Sequence, residues 1–165
     1  MITLEKILVA TDFGEASDAA LAYGRELART FHANLDVVHA VENVLTRGLA
    51  VEGYAASFPE IQNEIEEAAR QQLASIQAAD DRDRLTMKTV LLTSNTPAYA
   101  IVDYAKEHDI DLIVMGTHGR GAVAHLLMGS VAERVVRIAP CPVLTVRHPE
   151  HEFVMPDALV AVAKA

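Results

Sequence analysis

Hydrophobic residues follow two patterns along this chain: unbroken apolar runs alternate with segments in which apolar residues recur at helical spacing. The unbroken runs are KILVAT (6–11), LDVVHAV (35–41), LTMKTVLL (85–92), DLIVMG (111–116) and PVLTVR (142–147). Such short runs are typical of strands buried on both faces of a parallel sheet, so the pattern predicts five strands. Lys88 in the third run indicates an edge strand, where a charge discourages pairing between sheets.

Four segments between these runs predict amphipathic helices. In the first segment the apolar positions are Ala16, Ala19, Ala20, Tyr23, Leu27 and Phe31. In the second they are Ile61, Ile65, Ala68, Leu73 and Ile76. Thr96 and Pro97 predict the N-cap and the first turn of the third helix, because both residue types are favoured there. SVAERVVRI (130–138) predicts the fourth helix.

The alternation of strands and helices is typical of a single-domain, doubly wound α/β fold with a parallel sheet. Right-handed crossovers would cover both faces of that sheet with helices. Two segments lie outside the alternation. The connection 42–60 is long, and connections of that length often form lids or binding loops. The tail 148–165 follows the predicted domain, 1–147, and its apolar residues indicate that it docks on a neighbouring subunit or across the sheet.

The composition narrows the function classes. With 165 residues the chain suits one domain, and 51% hydrophobic residues can form a sizeable core. A net charge of −9 disfavours nonspecific binding to nucleic acid or to anionic membranes. The chain has one cysteine, no signal-peptide pattern and no apolar run near the roughly 18 residues that span a bilayer. We therefore expect a cytoplasmic protein with no nucleic-acid partner and no membrane insertion.

Asp12 stands at a position where ligands bind in open parallel sheets, beyond the carboxyl end of a strand at a reversal of winding. The fourth apolar run ends at Gly116, so Asp12 and Gly116 face one crevice if the first and fourth strands are neighbours. The Asp12 carboxylate could accept hydrogen bonds from ribose hydroxyls. Alternatively, Asp12 only caps the first helix, with Glu15 completing a capping box.

The stretch MGTHGRGAVAHLLMGS (115–130) contains four of the eight glycines of the chain. Gly116 and Gly119 could turn backbone N–H groups inward as an anion-binding nest. Gly129 then opens a helix, whose N-terminus carries partial positive charge and N–H donors. Isolated glycines usually form ordinary turns, but these converge on one helix start at a strand end. The pattern therefore favours a phosphate site.

Ser130 has two interpretations. Its hydroxyl could donate to a phosphate oxygen, or Ser130 and Glu133 could form a capping box that only holds the helix start. The chain has neither G-x-x-x-x-G-K-[ST] nor a G-x-G-x-x-G after the first strand. Without the lysine of the P-loop, a fast motor-type nucleotide hydrolase is not expected.

The spacing G-x2-G-x9-G-S, formed by Gly116, Gly119, Gly129 and Ser130, resembles the motif of ATP-binding universal stress proteins. Further stretches resemble that family in the same order: KILVATDF, VVHAV, TPAYAIVDYA, DLIVMGTHGRG and APCPVLTVR. The resemblance covers about residues 3–147. It implies a five-stranded sheet in the order 3-2-1-4-5, with ATP and Mg²⁺ in the crevice between the first and fourth strands.

The resemblance also implies which residues surround the base and the ribose. Ala10 and Thr11 would line the adenine pocket, and Asp12 would hold the ribose or contact the adenine side. The backbone of Ala40 would pair with adenine. Two departures from the family pattern are present. Ala10 stands where the family often has proline, and Asn95 and Thr96 stand where it often has glycine, shortly before the proline of the third helix. Asparagine tolerates the left-handed conformation, so the second change is mild.

A second group of residues would surround the phosphates. By the same resemblance, Met115 and Gly116 would line the ribose and phosphates. The loop contacts would come from His118, Gly119 and Arg120. The phosphates would be closed in by Gly129, Ser130 and Val131.

Three functions are consistent with these observations. The resemblance favours a module without catalytic activity that binds ATP or a related adenine nucleotide in stress-response signalling. It also implies a homodimer through the last strand, 142–147, and a protein partner that the sequence does not identify. Alternatively, the chain is a slow ATPase or a phosphoryl- or adenylyl-transfer enzyme, with Asp12 holding Mg²⁺ and His118 or Arg120 near the phosphates. A nucleotide-free interaction protein ranks last, because Gly119 and Ser130 are both present.

Other reactive residue types are interpreted as structural. His148 and His151 lie near acidic residues, but no second cysteine or H-E-x-x-H helix accompanies them, so no metal site is expected. His39 lies in a buried strand pattern and is predicted to be a hydrogen-bonded core histidine. His118 is expected to make an exposed loop contact. Cys141, between two prolines, is predicted to be a buried and unreactive thiol.

Overall fold

The structure, a computed structural model, describes residues 2–48, 58–80, 85–118 and 128–148. Strands and helices alternate along these residues. The strands are β1 (Lys6–Ala10), β2 (Asn34–Val41), β3 (Met87–Thr93), β4 (Leu112–Gly116) and β5 (Val143–Val146). The helices are α1 (Glu15–Phe31), α2 (Leu45–Gly48), α3 (Phe58–Asp80), α4 (Pro97–Glu107) and α5 (Ser130–Ile138). No helix in this part of the chain is long and apolar enough to cross a membrane.

All five strands are parallel and form one sheet in the order β3-β2-β1-β4-β5. The central strand β1 pairs with β2 on one side, where Ala10 lies opposite Val38. On its other side β1 pairs with β4, where Ala10 lies opposite Met115. This arrangement confirms the predicted α/β fold, the strand order and the edge position of β3.

Helices cover both faces of the sheet and bury two apolar layers. Side chains alternate between the faces along each strand, so Leu8 belongs to one layer while Ile7 and Val9 belong to the other. The layer of Leu8 includes residues of α4 and α5. The opposite layer includes residues of α1 and α3. The strands thus read as unbroken apolar runs because both of their faces are buried.

The buried side of α1 differs from the predicted one. Its buried positions are Ser17, Ala20, Leu21, Gly24 and Ala28. Tyr23 is 42% exposed and Phe31 is 38% exposed, although their spacing predicts core positions. Small residues set this orientation: a Cβ at Gly24 would lie 2.3 Å from Cγ2 of Val9, so α1 lies close against β1. In α3 the prediction is right for Leu73, whereas Ala69 is buried in place of Ala68.

The connection between β2 and α3 lies only partly within the described residues. It includes α2, whereas residues 49–57 lie outside, as does the tail 149–165. At α4, Thr96 is the N-cap and Pro97 opens the helix, as predicted. The Thr96 side chain forms no capping bond; instead, the Thr96 N–H donates to Oγ of Ser94 at 3.1 Å.

One carboxylate is buried at the opposite end of the sheet from Asp12. Asp36 in β2 is 6% exposed and accepts a hydrogen bond from the Tyr104 hydroxyl at 2.9 Å. The Lys88 ammonium lies 3.1 Å from the same carboxylate oxygen. A buried charge is costly unless it is paired and hydrogen-bonded, so these two donors allow Asp36 to lie inside. Lys88 of the edge strand therefore also serves as the partner of a buried charge.

Replacing Tyr104 by phenylalanine should lower the free energy of unfolding by about 1–3 kcal/mol, because the buried Asp36 carboxylate loses a donor. Chemical denaturation measures the change. The matched control is Tyr99→Phe on the same helix. The Tyr99 hydroxyl accepts a bond from Arg134 at an exposed site, so its loss should cost less than about 0.5 kcal/mol. Equal effects of the two substitutions would contradict the role assigned to the buried bond.

Candidate functional site

A cavity of about 440 Å³ opens where β1 and β4 end, within the size range of small-ligand sites. All of the predicted site residues that the structure describes line it: Ala10, Thr11, Asp12, Ala40, Met115, Gly116, His118, Gly129, Ser130 and Val131. Gly119 and Arg120 lie outside the described residues. The fold thus brings together residues from three distant parts of the chain.

Seven residues outside the predicted set also line the cavity: Ser17, Val38, His39, Pro97, Ile101, Thr117 and Ala132. A weak signal existed for Ser17, which stands three residues after Gly14 at the start of a helix. Pro97 and Ile101 lie in the first turns of α4, after a strand that ends on the same side of the sheet as β1. The chain order of parallel strands could therefore have suggested both.

The two sides of the cavity differ in polarity. On the β2 side the wall is mainly aliphatic, with Val38 and Ala40 from β2 and Pro97 and Ile101 from α4, beside the imidazole ring of His39. On the β4 side the polar side chains of Thr117, His118 and Ser130 line the wall, together with the first turn of α5. Asp12 lies between these sides because it follows the central strand. One wall thus suits a flat apolar group and the other suits an anion.

Short-range hydrogen bonds close the turn between β1 and α1. Phe13 has φ 61°, a left-handed conformation that is rare for a bulky residue. Gly14 is the N-cap of α1, and its N–H donates to Oδ1 of Asp12 and to Oγ of Ser17, at 3.1 Å each. Because the helix begins after Gly14, the alternative in which Asp12 and Glu15 form a capping box is wrong.

Two residues of β2 form hydrogen bonds with the backbone of Thr11. Its N–H donates to the carbonyl of Val38 at 2.9 Å, and its own carbonyl lies 2.7 Å from Nδ1 of His39. A carbonyl can only accept, so Nδ1 of His39 carries a hydrogen. The His39 ring also packs against Phe13, with ring centroids 4.3 Å apart. His39 is hydrogen-bonded, as predicted, but it lines the cavity instead of lying wholly in the core.

Backbone hydrogen bonds anchor both ends of the glycine-rich segment. The Thr117 N–H donates to the carbonyl of Val146 in β5 at 2.8 Å. The Gly129 N–H donates to the carbonyl of Thr117 at 2.7 Å, so the chain leaves β4 and enters α5 at adjacent points. Nδ1 of His118, a half-buried residue, lies 2.9 Å from the Thr117 hydroxyl. The first turn of α5 is therefore held beside the end of β4.

Gly129 is the N-cap of α5, and Ser130 is its first residue. The capping-box interpretation of Ser130 and Glu133 is therefore wrong. The Glu133 carboxylate instead accepts a hydrogen bond from Arg137 at 2.8 Å, one turn further along the helix. The Gly129 N–H is used by Thr117, and Ser130 and Val131 of the first turn of α5, where a helix leaves N–H groups without intrahelical acceptors, line the cavity.

Gly116 is needed for packing. It is the last residue of β4 and pairs with Val146 in β5, whereas Gly119, the other glycine of the predicted nest, lies outside the described residues. A Cβ at this position would lie 2.9 Å from both the carbonyl carbon and the Cβ of Ala16 in α1. The absence of a side chain therefore lets α1 cross the end of β4, whether or not a phosphate lies nearby.

Among the residues that the structure describes, His148 and Cys141 lie away from the cavity and make structural contacts. Within the described residues, no three His, Cys, Asp or Glu side chains are grouped so that they could hold a metal ion. Nε2 of His148 lies 3.7 Å from a carboxylate oxygen of Glu15. Cys141 is half-buried, and burial raises the pKa of its thiol, which disfavours the reactive thiolate.

Comparison with known proteins identifies relatives along most of the chain. A model of the universal stress protein family matches residues 3–147. A universal stress protein of Methanocaldococcus jannaschii is 33% identical over 148 residues, covering 90% of this chain and 85% of the relative. The solved structure of a second protein of that organism superposes with a TM-score of 0.77. It is 26% identical and covers 89% of this chain and 98% of its own.

Two solved universal stress proteins contain adenine nucleotides. One, from Archaeoglobus fulgidus, is a complex with dAMP; its TM-score is 0.59 at 23% identity, covering 88% of this chain and 99% of that one. The other is a complex with cAMP; its TM-score is 0.55 at 21% identity, covering 88% and 98%. At these identities the likeness to this chain shows the fold alone.

Replacing Gly116 by alanine should destabilise the nucleotide-free protein by about 1–3 kcal/mol, because the new methyl group overlaps the backbone of Ala16. Thermal and chemical unfolding without ligand measure the effect. Adding Ala16→Gly removes one of the overlapping atoms and should restore part of the loss. A Gly116→Ala protein with unchanged stability would contradict the packing role of this glycine.

Proposed function

The chain belongs to the universal stress protein family, and we propose that it binds an adenine nucleotide, ATP in particular, in the cavity between β1 and β4. The observation that carries the proposal is the arrangement of this cavity, with a mainly aliphatic wall on the β2 side, the first turn of α5 on the β4 side and Asp12 between them. A nucleotide has a matching arrangement: a flat base, a ribose and an anionic phosphate chain. The fold neighbours in complex with dAMP and cAMP support the proposal.

The base, the ribose and the phosphates would each lie against a different part of the cavity. Adenine would lie between the β2 wall, at Val38 and Ala40, and the first turns of α4. The Asp12 carboxylate would accept hydrogen bonds from the ribose hydroxyls. The phosphates would lie at the first turn of α5, where Ser130 and Val131 present N–H groups and the helix dipole favours an anion.

Mg²⁺ would enter with the nucleotide. Among the described residues that line the cavity, Asp12 is the one carboxylate, and no group of three metal-ligating side chains is present. Mg²⁺ commonly keeps several waters and binds through one or two carboxylates plus phosphate oxygens. With Asp12 assigned to the ribose, the ion would be held by the phosphate oxygens and by water, and Asp12 would become its ligand only in the enzyme alternative.

Binding and signalling, without turnover, is the proposed role. Hydrolysis or group transfer requires a residue that orients the attacking group beside the phosphates. His118 and Asp12 both line the cavity, which keeps slow ATP hydrolysis or phosphoryl transfer as a second candidate. Release of phosphate at a rate well above that of an Asp12→Asn protein would favour the enzyme.

Calorimetric titration of the nucleotide-stripped protein with ATP and Mg²⁺ should show binding at one site per chain. Asp12→Asn should weaken the affinity by about tenfold, because a neutral amide replaces the charged carboxylate and accepts weaker hydrogen bonds from the ribose hydroxyls. The matched control is Asp18→Asn, which changes the net charge equally at an exposed position of α1 outside the cavity lining. A folded, stripped protein that binds no adenine nucleotide would sink the proposal.

We also propose that β5 pairs with β5 of a second copy to form a homodimer. The carbonyls of Pro142 and Val146 accept bonds from β4, so the alternate residues Val143 and Thr145 direct their backbone groups outward. An edge strand of this kind offers a row of unpaired donors and acceptors. Leu144 and Val143 are only half-buried, which leaves apolar area for a partner. A further protein partner would bind this dimer with an affinity that depends on whether nucleotide is bound.

Thr145→Pro should convert the dimer to a monomer, because proline removes an outward N–H from β5 while leaving the bonds to β4 intact. Light scattering during size-exclusion chromatography measures the mass. Thr89→Pro is the matched control, since Thr89 has the equivalent outward position on the opposite edge strand β3. A dimer that survives Thr145→Pro but dissociates with Thr89→Pro would assign the interface to the other edge.

A further inference from the structure

The hydroxyl of Ser17 lies at the centre of the turn that carries Asp12. Ser17 is in the first turn of α1 and is 3% exposed, yet it lines the cavity floor. Its Oγ lies within 3.1 Å of polar atoms of both Thr11 and Gly14. A serine at this third helical position that only closed a capping box would need only the contact with the Gly14 N–H.

Counting hydrogens assigns the direction of each bond. The Ser17 hydroxyl donates to the carbonyl of Gly14 at 2.8 Å, which uses its single hydrogen. The Thr11 hydroxyl, 3.1 Å away, must therefore donate to Ser17. Ser17 also accepts from the Gly14 N–H at 3.1 Å, which uses its second lone pair, and the Asp12 N–H lies at the longer distance of 3.4 Å from the same oxygen. One hydroxyl thus ties the end of β1 to the start of α1.

The chain of bonds continues to the strained residue of the turn. The Thr11 hydroxyl, which donates to Ser17, accepts the N–H of Phe13 at 3.0 Å. Phe13 has φ 61°, and a left-handed bulky residue persists only where its surroundings over-determine it. The hydroxyls of Ser17 and Thr11 are among the groups that hold Phe13 in this conformation, so they fix the shape of the turn.

We propose that Ser17 is a positioning residue, which sets the Asp12 carboxylate to receive the ribose hydroxyls of the bound nucleotide. The inference rests on the function proposed above. The Gly14 N–H is shared between Oδ1 of Asp12 and Oγ of Ser17, at 3.1 Å each. Without the Ser17 hydroxyl, that N–H is left to Asp12 alone. The carboxylate is then drawn toward the turn and away from the ribose.

The test compares the affinities of ATP and 2′,3′-dideoxy-ATP, which lacks both ribose hydroxyls, by titration calorimetry. Wild-type protein should prefer ATP by about tenfold to a hundredfold, the value of hydrogen bonds to a charged group. Ser17→Ala should reduce that preference to about threefold or less while changing the affinity for dideoxy-ATP little. Ser17→Thr keeps the hydroxyl and should restore the preference.

Ile7→Val is the control for lost stability, since Ile7 is buried in β1 outside the cavity lining and the change costs about 0.5–1.5 kcal/mol. It should keep the full preference for ATP. A Ser17→Ala protein with the wild-type preference, or with equal losses for both nucleotides, would overturn the inference. Wild-type binding without any preference would also overturn it, yet would leave nucleotide binding intact. Absence of all binding would remove the proposed function itself.

Discussion

The parallel pairing of β1 with β4 brings the ends of two distant segments side by side, with Ala10 opposite Met115. After β1 the chain turns to the face covered by α1 and α3, and after β4 it turns to the face covered by α4 and α5. The two connections therefore separate, and a crevice opens between them. The cavity, the place of Asp12 and the direction of the first turn of α5 all follow from this one pairing.

Close contact between α1 and the sheet is the second condition for the site. Gly24 admits Val9, and Gly116 admits the backbone of Ala16, so the helix crosses the ends of the central strands at short range. This contact brings the Ser17 hydroxyl to Thr11 and closes the turn that carries Asp12. The absence of side chains at two glycines therefore explains both the close packing of α1 and the hydrogen bonds that Ser17 makes beside the cavity.

Much of this fold could be predicted from the sequence, because strands buried on both faces appear as unbroken apolar runs. The buried side of α1 could not, because large residues such as Tyr23 dominate a hydropathy pattern whereas Gly24 sets the packing. The resemblance to a family selected many of the residues that line the cavity, from Ala10 to Val131. It did not supply Ser17 or His39, whose roles depend on hydrogen bonds between elements that no spacing along the chain reveals.

The most direct test of this account is a crystal structure of the protein with ATP and Mg²⁺. The account predicts adenine against the β2 wall, the ribose at Asp12 and the phosphates at the first turn of α5. A nucleotide bound elsewhere on the surface, or one whose phosphates lie at the apolar wall, would contradict it.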